Sequence, residues 1–329
     1  MGDMKKVIRY ILLLTITLFS YSANAQIDYP NDDMADKELQ ILNCLQSLDA
    51  DYNAEYEVQQ FGLPTPDTLD LVNEYGSSLK VLELCPAMPI GVVLCLSGID
   101  SPSVTAHYGH AMEFYRLGYS TIIMDVSTHV KANSRPYEEV KDVQAVTDYI
   151  KSKVEYTNLP IIGMGVAMGG TVAMRSMIAN YDINAVISIS AFSSFEDYFA
   201  FNQNEADPAY DIPNISPMDV MDMSEADSIK MADICHVSGI DHRPVLLMHS
   251  TRDKLVPYSY FSHLLNEVKK NTNQLDSYVV PGDEHYICRD FLNPASDKDY
   301  FKVLTNFLMR LTNHIPTLAF RKLEDAQAI

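Results

Sequence analysis

From Ile90 onward the chain alternates two kinds of segment. Short, largely apolar runs, "GVVLCLSG", "STIIMDV", "LPIIGMG", "NAVISIS", "RPVLLMHS" and "LDSYVVPG", are separated by stretches with apolar residues at helical spacing, "AHYGHAMEFYRLG", "EEVKDVQAVTDYIKSK", "TVAMRSMIANY", "SYFSHLLNEVKK" and "DYFKVLTNFLMRLTN". A strand apolar on both sides must be covered on both faces, and a helix between consecutive strands returns the chain in the same direction. The pattern predicts an α/β domain with a mostly parallel sheet flanked by helices. Ahead of it, "EYEVQQF" and "SSLKVLEL" read as shorter strands with a turn at Pro64 and Pro66 between them. Earlier still, Leu39, Leu42, Leu45 and Leu48 recur at helical spacing, which predicts an amphipathic helix within residues 26–54, outside the domain spanning 55–329.

Two stretches depart from the rhythm. Between "SAFSSFEDY" and "RPVLLMHS" lies a segment rich in Asp, Pro and Met, residues 196–243, too long for an ordinary connection in such a sheet. It is expected to form a small inserted cap, either a lid over a pocket or a surface excursion with short helices. At the start, "MGDMKKVIRYILLLTITLFSYSANAQ" has basic residues, then an apolar run from Tyr10 to Phe19, then Ala23-Asn24-Ala25. That order is the layout of a secretory signal peptide, residues 1–25, with cleavage before Gln26 and a secreted or periplasmic mature chain. The run is shorter than the ~20 residues a spanning helix needs, so no stable membrane insertion is expected after cleavage.

Charge narrows the partners. The full chain carries a formal net charge of −20, and loss of Asp3, Lys5, Lys6 and Arg9 with the leader takes basic residues from 24 to 21 and acidic ones from 44 to 43, leaving −22. Phosphate backbones and anionic lipid surfaces repel such a chain, so no nucleic-acid partner is expected. Cys44, Cys85, Cys95, Cys235 and Cys288 show no CxxC pair and no zinc spacing. They read as mostly buried small apolar residues, with room for one bridge of unassigned pairing. His107, His110, His129, His236, His242, His249, His263 and His314 are not spaced as metal ligands, so neither a metal nor a cofactor is expected.

In an open α/β sheet the working groups gather where strands end at their carboxyl termini. The strand "PIIGMG" runs into Gly165-Val-Ala167-Met-Gly169, glycine spacing that permits a sharp strand-to-helix turn projecting one side chain. "PVLLMHS" runs into "TRDKLVP", which carries Asp253, and "SYVVPG" runs into "DEHY", which carries His285. Taken singly, Asp253 could cap the turn before Val256-Pro257, and His285 could be a hydrogen-bonded loop histidine beside Glu284.

Elbow, acid, then histidine is the chain order of the α/β-hydrolase fold, which the sequence resembles from about Leu79 to Asn313. The detail resembles its serine-aminopeptidase and lysophospholipase-like branch, whose "H-G-T-x-D-x-x-V-P" and "G-x-x-H" motifs stand here as His249-Ser250-Thr251-Arg252-Asp253-Lys254-Leu255-Val256-Pro257 and Gly282-Asp283-Glu284-His285. The resemblance implies an ester, lipid or peptide-like small-molecule ligand. It also implies Asp253 and His285 as acid and base, with the backbone N–H groups of Ile99 and Met168 as oxyanion donors.

The departures bear on activity. Ala167 stands where the nucleophilic serine belongs, Ser97-Gly98 replaces the family's "H-G", and the stretch from Asp125 to Ser134 replaces its "D-x-R-G-x-G-x-S". Alanine has no proton to give the histidine and no lone pair to attack with, whereas backbone oxyanion donors survive any side-chain change. Three readings remain open at this point: a catalytically impaired binding protein; an active esterase, lipase or peptidase with its nucleophile moved to Ser188, Ser190 or Ser97; and an ordinary hydrolase carrying a serine-to-alanine change. The leader and the several departures together favour the first.

Overall fold

The apolar runs form the strands, because a segment such as "VVLCL" can bury both of its faces only between two layers of helix. The computed structural model describes residues 66–96, 107–124, 138–193, 239–282, 285, 287–288 and 294–312. In chain order these are β1 (Asp67–Val72), β2 (Ser78–Leu84), β3 (Val92–Leu96), α1 (Tyr108–Arg116), β4 (Ser120–Met124), α2 (Glu138–Ser152), β5 (Ile161–Val166), α3 (Met168–Ala179), β6 (Ile183–Ile189), β7 (Val245–Ser250), α4 (Tyr258–Asn271), β8 (Leu275–Val280) and α5 (Lys298–Thr312). The eight strands make one sheet in the order β1-β2-β4-β3-β5-β6-β7-β8. The pairs β1–β2 and β2–β4 are antiparallel, and every other pair is parallel.

Alternation along each strand divides the core in two. Val92, Leu94 and Leu96 of β3 join residues of α2, α3 and α4 on one face, including Val146, Val172, Met177, Phe261 and Leu264. Val93 and Cys95 point the other way, to the layer of α1 and α5 built from Phe114, Tyr300, Leu304 and Phe307. One strand escaped the sequence reading. In β1, "DTLDLV", Leu69 and Leu71 alternate with polar residues and pack on the first of these layers, while the other side of this edge strand faces solvent. The expected strand at "EYEVQQF", the helix within 26–54 and all of the 196–243 insertion before Gly239 lie outside the described residues.

The strand order reverses beside β3, whose two neighbours are β4 and β5, the strands that follow it in sequence. Chain leaving the carboxyl ends of β3 and β5 therefore diverges to opposite sides, which opens a crevice at that edge of the sheet. In the β3–β5 register Leu96 pairs with Gly165. The residues following Leu96 and the turn at Ala167 thus start from adjacent points on the crevice floor.

Candidate active site

The elbow is built from glycine and an unusual backbone. Ala167 caps α3 with φ +51° and ψ −119°, in left-handed territory that an alanine rarely occupies. Close approach explains the glycine before it: a Cβ on Gly165 would lie 2.3 Å from the carbonyl carbon of Gly169 and 2.4 Å from its oxygen. A second close approach falls at Gly170, where a Cβ would sit 3.0 Å from both Gly165 O and Ser188 Oγ. The turn is held by Ala167 N–H donating to Ile189 O at 2.9 Å and by Thr171 N–H donating to Ala167 O at 3.1 Å. Ala167 is buried, in the same apolar layer as Ile287 and Cys288 of the histidine loop. Met168 opens α3, so its N–H belongs to the unpaired first turn of a helix whose dipole favours negative charge there. Ile99 lies outside the described residues, as do Ser97 and the stretch from Asp125 to Ser134.

Asp253 makes both sets of contacts that the sequence left open. Its Oδ1 accepts the N–H groups of Leu255 at 2.8 Å and Val256 at 2.9 Å, which closes the turn after β7. Its Oδ2 lies 2.8 Å from His285 Nδ1. Burial alone would raise the carboxyl's pKa. The hydrogen bond and charge of His285, the Val256 N–H and the nearby His249 outweigh it and hold the group below its ordinary 3.8. An ionised Asp253 accepting at Nδ1 fixes the His285 tautomer, so the lone pair is on Nε2.

His249 supports this loop from beneath. It stacks on Phe261 with ring centroids 5.0 Å apart, and its Nε2–H donates to Val256 O at 2.9 Å. Burial lowers its pKa, against the partial opposition of Asp253 and the Val256 carbonyl. At 3.8 Å from Asp253 Oδ2 its Nε2 is beyond hydrogen-bond reach.

Ser188 and Ser190, two of the serines considered as nucleophiles, have structural partners. Ser188 is buried and donates its hydroxyl to Gly170 O at 3.1 Å, on the elbow helix. Ser190, wholly buried and with φ +47°, donates to the main-chain carbonyl of His285. Nothing in the sequence signals that second bond, which spans 95 residues. Cys95 and Cys288 are buried, as expected, whereas Cys85 is exposed. Among the described residues no group of three His, Cys, Asp or Glu side chains is placed to hold a metal ion, and no helix is long and apolar enough to cross a membrane.

Known proteins share this architecture. Esterase Pf2001 of Pyrococcus furiosus superimposes with a TM-score of 0.62 at 14% identity, over 80% of this chain and 95% of the esterase. The acylaminoacyl peptidase of Pyrococcus horikoshii gives 0.56 at 13% identity, over 80% of this chain and 44% of the peptidase. A Staphylococcus aureus protein of unknown function gives 0.54 at 15% identity, over 73% and 98%. Identities this low establish the fold alone. No curated protein matches the chain in sequence. The family model of the prolyl oligopeptidase family matches residues 131–314, which take in the elbow, Asp253 and His285. That peptidase family differs from the branch suggested by the short motifs, and the superfamily is what the two readings share. The chain belongs to the prolyl oligopeptidase family, and its fold is that of the α/β-hydrolases.

Proposed function

We propose that this protein is an exported α/β-hydrolase homologue that binds an ester, lipid or peptide-like ligand through the former catalytic edge and does not perform serine-based acyl transfer. One observation carries the reading. The elbow keeps its strained backbone at Ala167, φ +51°, and the acid–histidine pair keeps its 2.8 Å contact, while the atom that would attack is missing. Without it, catalysis falls back on binding, the backbone oxyanion donors and histidine-activated water, a residual of about 10³–10⁴-fold over the uncatalysed reaction in the protease cases where triad members were removed. What remains suits binding: a helix N-terminus turned toward developing or full negative charge, a polarised imidazole, and a crevice at the strand-order reversal. The proposed route of export is cleavage before Gln26, and a mature mass that retains Met1 in an exported, membrane-embedded species overturns it.

A fluorophosphonate probe tests the central reading. The mature wild type should remain unlabelled, Ala167→Ser should label, and adding His285→Ala to that variant should abolish labelling. Covalent label on the wild type overturns the proposal. Label at Ser97, Ser188 or Ser190 would establish the second reading, a hydrolase with a relocated nucleophile, which the intact Asp253–His285 pair favours. An Ala167→Ser chain that folds and stays inert would show that the changes at Ser97 and across residues 125–134 also dismantled the chemistry, leaving binding as the sole activity of the crevice.

A further inference from the structure

We infer that Ser190 is a positioning residue for His285: its hydroxyl anchors the main chain of the histidine loop and thereby keeps the imidazole on Asp253. Three observations support it. Ser190 is wholly buried at the carboxyl end of β6, between the strands that carry the elbow and the acid, and its Oγ donates to the carbonyl oxygen of His285 itself. Its φ of +47° is strained for a non-glycine residue and persists only where the surroundings over-determine it. The same holds across the loop. Ile287, two residues beyond His285 and β-branched, sits at φ +54°, and Ala167 at +51°, so three of the positive-φ non-glycine residues meet at one edge of the sheet.

The mechanics follow from the backbone. Ser190 N–H donates to Met248 O at 2.8 Å, which pins the residue to β7, the strand leading into Asp253. The hydroxyl then reaches from this fixed point to the carbonyl of His285. A rigid β6–β7 base is thus tied directly to the histidine, and the His285 Nδ1 contact with Asp253 closes the ring of constraints. Ser188, two residues earlier, performs a parallel service for the elbow by donating to Gly170 O. The end of β6 therefore braces both halves of the site, and Ser190 serves the half whose side chains survive.

The experiment reads the low-field proton resonance of His285 Nδ1–H in the mature full-length chain, assigned by its absence in His285→Ala. Wild type should show it. Ser190→Ala and Ser190→Gly should both lose it while far-ultraviolet circular dichroism stays unchanged. The pair separates hydroxyl from backbone, because glycine relieves the positive φ and alanine does not. Retention of the resonance in Ser190→Ala overturns the inference, and so does its recovery in Ser190→Gly. Ser190→Cys, with a weaker donor in the same place, should show an intermediate loss, and full wild-type intensity there also overturns it. This inference stands apart from the reading of Ala167. In an Ala167→Ser background, Ser190→Gly should slow fluorophosphonate labelling about 100-fold, the cost of misplacing a reacting group by about an ångström. If Ala167→Ser alone does not label, the chemistry has been dismantled beyond Ala167, and the resonance alone decides the role of Ser190.

Discussion

The elbow and the acid–histidine loops are built in opposite ways. At the elbow the backbone is specialised, with a positive φ at Ala167 and no room for a side chain at Gly165, and the apex residue carries only a methyl group. At the loops polar side chains hold the structure: Asp253 satisfies two backbone donors and the imidazole of His285, and His249 and Ser190 hold the surrounding chain. The difference shows which parts the fold itself requires. A tight strand-to-helix turn packs α3 against β5 and β6 whether or not anything reacts there, and Asp253 closes a turn whether or not His285 acts as a base. On the proposed reading, a hydroxyl at the elbow apex would add nothing to either turn, so the site stands without one.

The largest expected effect therefore comes from the residue with the least chemistry. Gly165→Ala places a Cβ 2.3 Å from backbone that cannot move without displacing α3. It should cost more than about 4 kcal/mol, a drop in Tm of about 10 °C in calorimetry if the protein folds at all. A loss below about 1 kcal/mol would mean that the elbow backbone is mobile and that its geometry is not fixed by packing.

Asp253→Ala comes next, at about 3 kcal/mol, since it strands the N–H groups of Leu255 and Val256 and the His285 imidazole together. The milder Asp253→Asn isolates the charge. Because the folded pKa lies below the ordinary 3.8, the ionised carboxylate's contribution is complete above that value and is lost as pH falls through the folded one. The Tm gap between wild type and Asp253→Asn should be widest above 3.8 and close on further acidification. A gap independent of pH would show that Asp253 acts only as a turn cap.

Arg243 tests support from farther away. Its guanidinium donates to the carbonyls of Met177, Asn180, Ile183, Gly239 and Ile240, tying the approach to β7 to the end of the helix that begins at the elbow. Arg243→Ala should cost about 2 kcal/mol by thermal or urea unfolding, and Arg243→Lys should recover little of it, because an ammonium cannot reproduce the planar fork.

How much of this was legible beforehand follows from the range of the interactions. The parallel strands β3 to β7 were legible because a strand buried on both faces is apolar at most positions, and the half-exposed edge strand β8 was legible from its place in the strand–helix alternation. β1 was missed because an edge strand needs only Leu69 and Leu71, two apolar residues beside a Pro-rich turn. Asp253 and His285 were legible through the residues flanking them, whose local turns leave a sequence trace. The Ser190 bond to His285 left none, since a serine at the end of an apolar strand has the same sequence environment whether it attacks, braces or merely fills space. Its role depends on a loop that arrives 95 residues later.

The smallest effect discriminates most sharply between the two regions. Ala167 holds φ +51° and ψ −119°, a conformation that is costly for any residue with a Cβ and nearly free for glycine. In a working hydrolase such strain is offset by what it presents to the substrate. Here it presents a methyl group, so Ala167→Gly should relieve the strain without removing any hydrogen bond of the turn, all of which are made by backbone atoms and Thr171. The added freedom of the unfolded glycine opposes this by up to about 1 kcal/mol, and loss of one buried methyl adds a similar cost. The terms nearly cancel, so the expected shift in Tm is within about 2 °C of wild type. The Asp253–His285 pair should be untouched, with the His285 Nδ1–H resonance at full intensity. A large destabilisation on Ala167→Gly would show that the methyl is a packed part of the apolar layer with Ile287 and Cys288, and that the elbow has been rebuilt around alanine rather than left vacant by serine.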